Sequence, residues 1–287
     1  VPPYRILAVT FTNKAAGEMR ERLEKILGPE VTRELWIGTF HAVCVRLIRR
    51  YHEAIGMTPN FSIYDDSDQK AVMKRVLKEL DLDDRRFPPA QLLGRIGREK
   101  QEARGPEDFS VDNYFDEVTL KCFRAYQRRL EEANAVDFTD LLLLVLRLAE
   151  SKDETVRSSV EHLTSRFHYV LVDEFQDVNL VQYRLVRALA GARKNICVVG
   201  DDDQSIYRWR GADVRNIRNF THDYPGAELV KLEQNYRSSK NVVGAALGII
   251  RLARERQPKE LWTGNPDGDP VRIVHSANER DEAAFVT

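Results

Sequence analysis

Short apolar runs alternate with helical stripes along most of the chain. Ile6-Leu7-Ala8-Val9 reads as a buried strand, and beyond Phe11-Thr12-Asn13 the apolar positions Ala15, Ala16, Met19, Leu23, Ile26 and Leu27 keep helical spacing. Asn13 is placed to cap that helix and Gly28-Pro29 to stop it. Leu35-Trp36-Ile37 predicts a second strand, followed by a helix carrying Phe40, Val43, Leu47, Ile48 and Tyr51. From about Tyr51 to Arg166 strand signals vanish and helical stripes dominate, among them Val72, Val76, Leu77 and Leu80 and the block Leu141 to Leu148. The alternation then resumes. Strands are expected at Tyr169 to Val172, Ile196 to Val199, Leu229 to Leu232 and Val271 to His275. A helix is expected at Leu180 to Ala190, and another on the stripe Val242, Val243, Ala246, Ile249, Ile250 and Ala253. Strands joined through helices form parallel sheets, with chemistry on the loops that leave the strand carboxyl ends. The prediction is an α/β core interrupted by a large all-helical insertion.

Length and charge narrow the possibilities. At 287 residues there is material for about two domains of ~150 residues. A net charge of −1 excludes a uniformly basic nucleic-acid coat but leaves room for a local basic groove. Between Arg85 and Arg104 six basic residues meet two acidic ones, Glu99 and Glu102, a patch that would serve phosphate or lie as a solvated helix face. The longest apolar run, Leu141 to Leu146, is too short to cross a bilayer. Cys44, Cys122 and Cys197 are too far apart for a CxxC motif and are expected as buried free thiols in a reducing cytoplasm. The opening Val1-Pro2-Pro3-Tyr4 lacks the basic and apolar regions of a secretory signal and reads as part of something longer.

Polar clusters follow the predicted strands. After Val172 comes Asp173-Glu174-Phe175-Gln176-Asp177: one carboxylate can hold the water shell of Mg²⁺ and the next can polarise an attacking water, although acidic strand ends also cap helices. After Val199 comes Gly200-Asp201-Asp202-Asp203-Gln204, and then Tyr207-Arg208-Trp209-Arg210. Gln204 can sense a terminal phosphate, and alternating rings and guanidinium groups suit unpaired bases and their phosphates. The competing reading puts Trp209 in a core and the arginines in solvent. After Leu232 comes Glu233-Gln234-Asn235-Tyr236-Arg237-Ser238-Ser239, where Arg237 can reach a phosphoryl group and Tyr236 can face a purine; alternatively Ser238 caps a helix and Arg237 sits in a surface ion pair.

Together with Thr10-Phe11-Thr12-Asn13-Lys14-Ala15-Ala16 and Gly38-Thr39-Phe40-His41, these clusters form an ordered set. It resembles the successive motifs of superfamily-one DNA helicases of the UvrD/Rep/PcrA family, from Tyr4 to about Ile250. The resemblance implies RecA-like domains that clasp ATP with single-stranded DNA running across them. Carried over, Asp173 serves Mg²⁺, Glu174 is the general base, Gln204 couples the γ-phosphate to the DNA side, Tyr236 stacks on adenine and Arg237 acts as an arginine finger. Phe11, Tyr207 and Trp209 become base-stacking steps, and Thr12, Asn13, Thr39, His41 and Arg210 contact the strand. The implied partition is residues 1–42 and 168–232 for the first RecA-like domain, 43–167 for the insertion, and 233–287 for the start of a second RecA-like domain.

One departure is chemical. Family members carry a phosphate loop ending Gly-Lys-Thr or Gly-Lys-Ser, and none of the 15 glycines here is followed by Lys. The expectation is an internal segment of a 3′–5′ helicase, itself inactive as an ATPase. A degenerate single-stranded-DNA-binding module and the motor part of a helicase–nuclease are the alternatives.

Overall fold

The computed structural model describes residues 1–207, 215–252 and 259–287. Two compact units emerge, Val1–Phe220 and Thr221–Thr287.

The first unit is built on a parallel sheet. β1 (Ile6–Thr10) leads into α1 (Asn13–Leu27) and the short α2 (Pro29–Glu34); β2 (Trp36–Thr39) leads into α3 (Phe40–Arg50) and the one-turn α4 (His52–Ile55). The predicted first helix is present, but its cap is one residue earlier: the Thr12 hydroxyl, on extended backbone, accepts from the Ala15 amide at 3.1 Å, and Asn13 is the first helical residue. Gly28 stops α1 with φ +83°, a conformation that penalises a side chain.

The insertion contains β3 (Ser62–Tyr64), α5 (Asp66–Glu79), α6 (Pro89–Gln101), α7 (Tyr114–Glu132), β4 (Ala135–Asp137) and α8 (Phe138–Ala149). It is mostly helical, as expected, but β3 and β4 form a small parallel ladder. Three-residue strands containing Ser62 and Asp137 leave too short an alternation to stand out from helical stripes. Its core joins Met73, Val76, Leu77, Leu92, Ile96, Phe123, Tyr126 and Leu130 from α5, α6 and α7.

The basic stretch is only partly a solvated face. Lys100 is 2% exposed, and its ammonium meets Asp137 Oδ2 at 2.6 Å and Asp140 Oδ1 at 2.8 Å. The Tyr126 hydroxyl donates to the same Asp137 oxygen at 3.3 Å. Beside them, buried Glu99 is paired with Arg95 and Arg104. The charges fasten α6 to the start of α8, where Asp137 also caps the helix by accepting from the Asp140 amide at 2.8 Å.

After α9 (Arg157–Thr164), the chain re-enters the sheet as β5 (Tyr169–Val172), crosses by α10 (Leu180–Ala190) and returns as β6 (Ile196–Val198); α11 (Arg215–Asp223) follows. The strand order is β2-β1-β5-β6, all parallel, with Val9 opposite both Gly38 and Val172, and Val172 opposite Val198. β1 is buried from Leu7 onward, whereas β5 alternates: Val170 and Val172 are buried while Tyr169 and Leu171 face outward. On the edge strand β6, Cys197 is exposed, in contrast to the buried Cys44 and Cys122. Apolar sequence alone predicts cover on both faces; among the described residues, this end of the sheet is packed on one.

In the second unit, α12 (Lys240–Ile250) occupies the predicted stripe, with Ala253 outside the described residues, and α13 (Glu279–Val286) follows. The segments Leu229 to Leu232 and Val271 to His275 are not strands. A strand needs a neighbour for its amides and carbonyls. Among the described residues of this unit the ladder is limited to one bridge, Gln234 to Trp262, and Leu232 and Ile273 are 78% and 84% exposed.

Candidate functional site: the carboxyl edge of the parallel sheet

Parallel strands deliver their carboxyl ends to one edge, and β1, β2, β5 and β6 bring the predicted polar clusters there. Val172, the last residue of β5, is buried; Asp173 directly follows and is braced from the neighbouring strand, its amide donating to Val9 O at 2.9 Å. The Thr10 hydroxyl, at the end of β1, donates to Asp173 Oδ2 at 3.4 Å. Glu174 then turns in the left-handed region at φ +52°, which costs a non-glycine residue on the order of 1 kcal/mol. That turn leaves Glu174 exposed while Phe175, Gln176 and Asp177 tuck beneath it.

Gln176 is the brace that sequence reasoning passed over. It is 1% exposed. Its amide donates to Glu174 Oε2 at 2.7 Å, its side-chain oxygen accepts from the Asp201 amide at 3.0 Å, and its backbone carbonyl accepts from the Ser205 hydroxyl at 3.4 Å. The β5 loop is thereby tied to the β6 loop. Gly200 permits the approach, since a Cβ there would lie 2.8 Å from Gln176 Oε1 and 3.2 Å from Gln176 N. Asp177 is 8% exposed, its Oδ1 has no hydrogen bond, and burial, then the Glu174 charge, pushes its carboxyl above the usual range. The β6 loop is internally knit: the Gln204 side-chain amide donates to Asp201 Oδ2 at 2.7 Å, and the Asp203 amide to Asp201 Oδ1 at 3.1 Å. The carboxylates of Asp201, Asp202 and Asp203 gather within 4.8 Å of one another.

Aromatic groups share this edge. Phe11, one residue beyond Thr10, stacks on Tyr207 at 5.2 Å between ring centroids and 23° between planes. Thr12 and Thr39, just after β1 and at the end of β2, each cap a helix, Thr39 by accepting from the Ala42 amide at 3.3 Å. Two helix N-termini, suited to negative charge, therefore open at the same edge. Asn13 is exposed on the first turn of α1. His41 lies edge-on to Phe138 of the insertion at 6.1 Å, and burial lowers its pKa. Trp209 and Arg210 lie outside the described residues.

Tyr236 and Arg237 belong to the second unit. Asn235 Oδ1 accepts from the amides of Arg237 at 2.9 Å and Ser238 at 2.7 Å, so an Asn-based turn, rather than a Ser238 cap, sets this corner. The Tyr236 hydroxyl donates to Gln234 Oε1 at 2.7 Å, and its ring is 78% exposed; Arg237 is exposed too.

A parallel α/β core with paired carboxylates after one strand, a glutamine on the loop after the next and stacked rings beside them is the architecture of a RecA-like core. The sequence profile described as the UvrD/REP helicase N-terminal domain matches residues 1–225, and that of the UvrD-like helicase C-terminal domain matches residues 230–287. This chain belongs to the UvrD/REP helicase family. Proteins described as ATP-dependent DNA helicase PcrA are similar to it: one from Staphylococcus epidermidis is 46% identical over 288 residues, covering 100% of this chain and 39% of the relative. One from Leuconostoc citreum is 46% identical over 286 residues, 99% of this chain and 38% of the relative, and one from Staphylococcus aureus is 45% identical over 288 residues. The chain thus spans about two fifths of the length of these curated relatives.

Proposed function

We propose that this chain is the nucleotide- and strand-handling part of an ATP-dependent DNA helicase that moves 3′ to 5′ along single-stranded DNA and unwinds duplex ahead of it. One juxtaposition carries the reading: Thr10 touches Asp173, and Phe11, the next residue, stacks on Tyr207. A carboxylate for nucleotide chemistry and a ring platform for bases therefore share adjacent residues of one strand end. The relatives' descriptions as ATP-dependent DNA helicases support it.

Within this reading Asp173 holds Mg²⁺ through its water shell, which suits a hard carboxylate oxygen at a strand end. When bound, Mg²⁺ neutralises charge on the phosphates. Glu174, lifted by its left-handed turn, takes the proton of the attacking water, and Gln204 reports the γ-phosphate to the β6 loop. Tyr236 stacks on adenine, and Arg237 stabilises charge on the transferring phosphoryl group. Phe11, Tyr207 and Trp209 take successive bases; since Phe11 and Tyr207 already cover each other's faces, a base enters by replacing one ring on the other. Thr12, Asn13, Thr39, His41 and Arg210 contact the strand, its phosphates facing the N-termini of α1 and α3. Residues 1–42 and 168–232 serve as the first motor domain, 43–167 as its insertion and 233–287 as the beginning of the second. Within this reading a cytoplasmic location is expected; no helix among the described residues is long and apolar enough to cross a membrane.

The donor set fits the metal better than the triphosphate, because no Gly-Lys loop exists in these residues to cradle it. The 287-residue chain is accordingly expected to bind single strands weakly and salt-sensitively and to show no DNA-stimulated ATP hydrolysis. Fluorescence anisotropy with a labelled oligonucleotide tests this: Trp209→Ala should weaken binding by ~1–3 kcal/mol. Unchanged affinity would return Trp209 to a core, and turnover lost on Glu174→Gln would show that the missing loop is dispensable.

A further inference from the structure

At the opposite, amino-terminal end of the sheet lies a cluster that the motor reading does not use. Arg5 precedes β1, Trp36 opens β2, Arg50 and Tyr51 end α3, His162 is in the last turn of α9, and Arg166 leads into β5. Arg166 is only 7% exposed, yet its Nε has no hydrogen bond, and the buried Tyr51 hydroxyl faces the guanidinium groups of Arg50 and Arg166. Arg50 and Arg166 are the charges acting on that hydroxyl, while Arg5 and Arg50 both act on Arg166. Among the described residues no carboxylate pairs with Arg5, Arg50 or Arg166.

Uncompensated buried charge is costly, so something must offset it. Part is supplied locally: Arg166 lies over the Trp36 ring at 4.6 Å, and Arg5 donates to the Arg166 carbonyl at 3.0 Å. The carboxyl ends of α3 and α9 each present about half a negative charge. Against three guanidinium groups, these two ends leave a surplus of roughly two positive charges. The arrangement has a buried floor, Arg166 with the Tyr51 hydroxyl, and an accessible rim, Arg50 with His162. The Tyr51 and His162 rings meet edge-on at 5.7 Å, which holds the rim to the floor.

We propose that Arg5, Arg50, Arg166 and Tyr51 form a binding site for a phosphate group, separate from the carboxyl-edge site. Guanidinium forks and a phenolic donor suit a compact oxyanion with several acceptor oxygens. The four- to five-residue strands hold this site ~13–17 Å from the carboxyl edge. Its ligand is the free ion or the phosphate of a phosphomonoester.

Inorganic phosphate is titrated into the 287-residue chain at constant ionic strength, with sodium chloride as the balancing salt, and followed by ³¹P line width and by Tm. Saturable binding is expected, about tenfold weaker in Arg50→Ala, a rim change that leaves the buried floor in place. Arg33→Ala, which removes an exposed partner of Glu30, should leave binding unchanged. Thymidine 5′-monophosphate that displaces phosphate from the wild type would extend the ligand to monoesters; failure to displace it would restrict the ligand to the free ion. A response that chloride reproduces, or equal phosphate affinity in wild type and Arg50→Ala, would overturn the assignment.

Discussion

Replacing Gln176 by Leu isolates the link between the two loops of the carboxyl edge. The change keeps the buried bulk but removes the donor to Glu174 Oε2 and the acceptor for the Asp201 amide. A hydrogen bond to a charged group contributes ~1.5–3 kcal/mol, and Glu174 is exposed, so the lower end applies. The orphaned Asp201 amide adds ~1 kcal/mol, and the more apolar Leu returns a similar amount. The net expectation is a loss of ~1–2 kcal/mol, or ~2–8 °C in the Tm of a unit of 220 residues. Urea unfolding followed by circular dichroism measures the total, and a cycle with Glu174→Ala separates the pair. The coupling should be ~1 kcal/mol, because the charge-assisted bond exists only when both side chains are present. Strict additivity of Gln176→Leu and Glu174→Ala would refute the brace.

Two further substitutions probe buried charge. Lys100→Met leaves the Asp137 and Asp140 carboxylates facing each other without a cation and should cost ~3–5 kcal/mol by urea unfolding; a loss under 1 kcal/mol would show that water reaches the group. Asp177→Asn should raise Tm at pH 8: a carboxyl whose folded pKa lies above its unfolded value opposes folding when ionised, so the gain should shrink as pH falls toward 4. A gain independent of pH would contradict that assignment.

The strands and helices that the sequence predicts best are those with local signals. Leu180 to Ala190 is a helix over the anticipated span because Asn179 and Gln182 form a reciprocal cap ahead of its apolar stripe. Leu229 to Leu232, interrupted by Lys231 alone, reads as a strand much as Ile6 to Val9 does, yet only the latter has strands on both sides to receive its hydrogen bonds. The Arg85 to Arg104 stretch illustrates the converse: Lys100 looks like surface until Asp137 and Asp140, 37 and 40 positions later, are folded onto it. At the site, Asp173, Glu174 and Gln204 stand out as polar residues at the ends of apolar strands. Gln176 does not, because its role depends on β6 lying beside β5, which no local pattern specifies. Thr10 heads the Thr10 to Ala16 cluster in the sequence, but its contact with Asp173 appears only when β5 lies beside β1.

The most direct test of a shared edge is ATP hydrolysis by the complete gene product containing these residues, with and without single-stranded DNA, comparing wild type with Phe11→Ala. Phe11→Ala removes one ring of the base platform and leaves the adjoining Thr10–Asp173 contact in place. The DNA-stimulated rate should fall at subsaturating DNA, in line with ~1–3 kcal/mol of lost base stacking, while the rate without DNA stays the same. Equal loss in both conditions, or no loss in either, would contradict the placement of nucleotide and bases on neighbouring residues of one strand end.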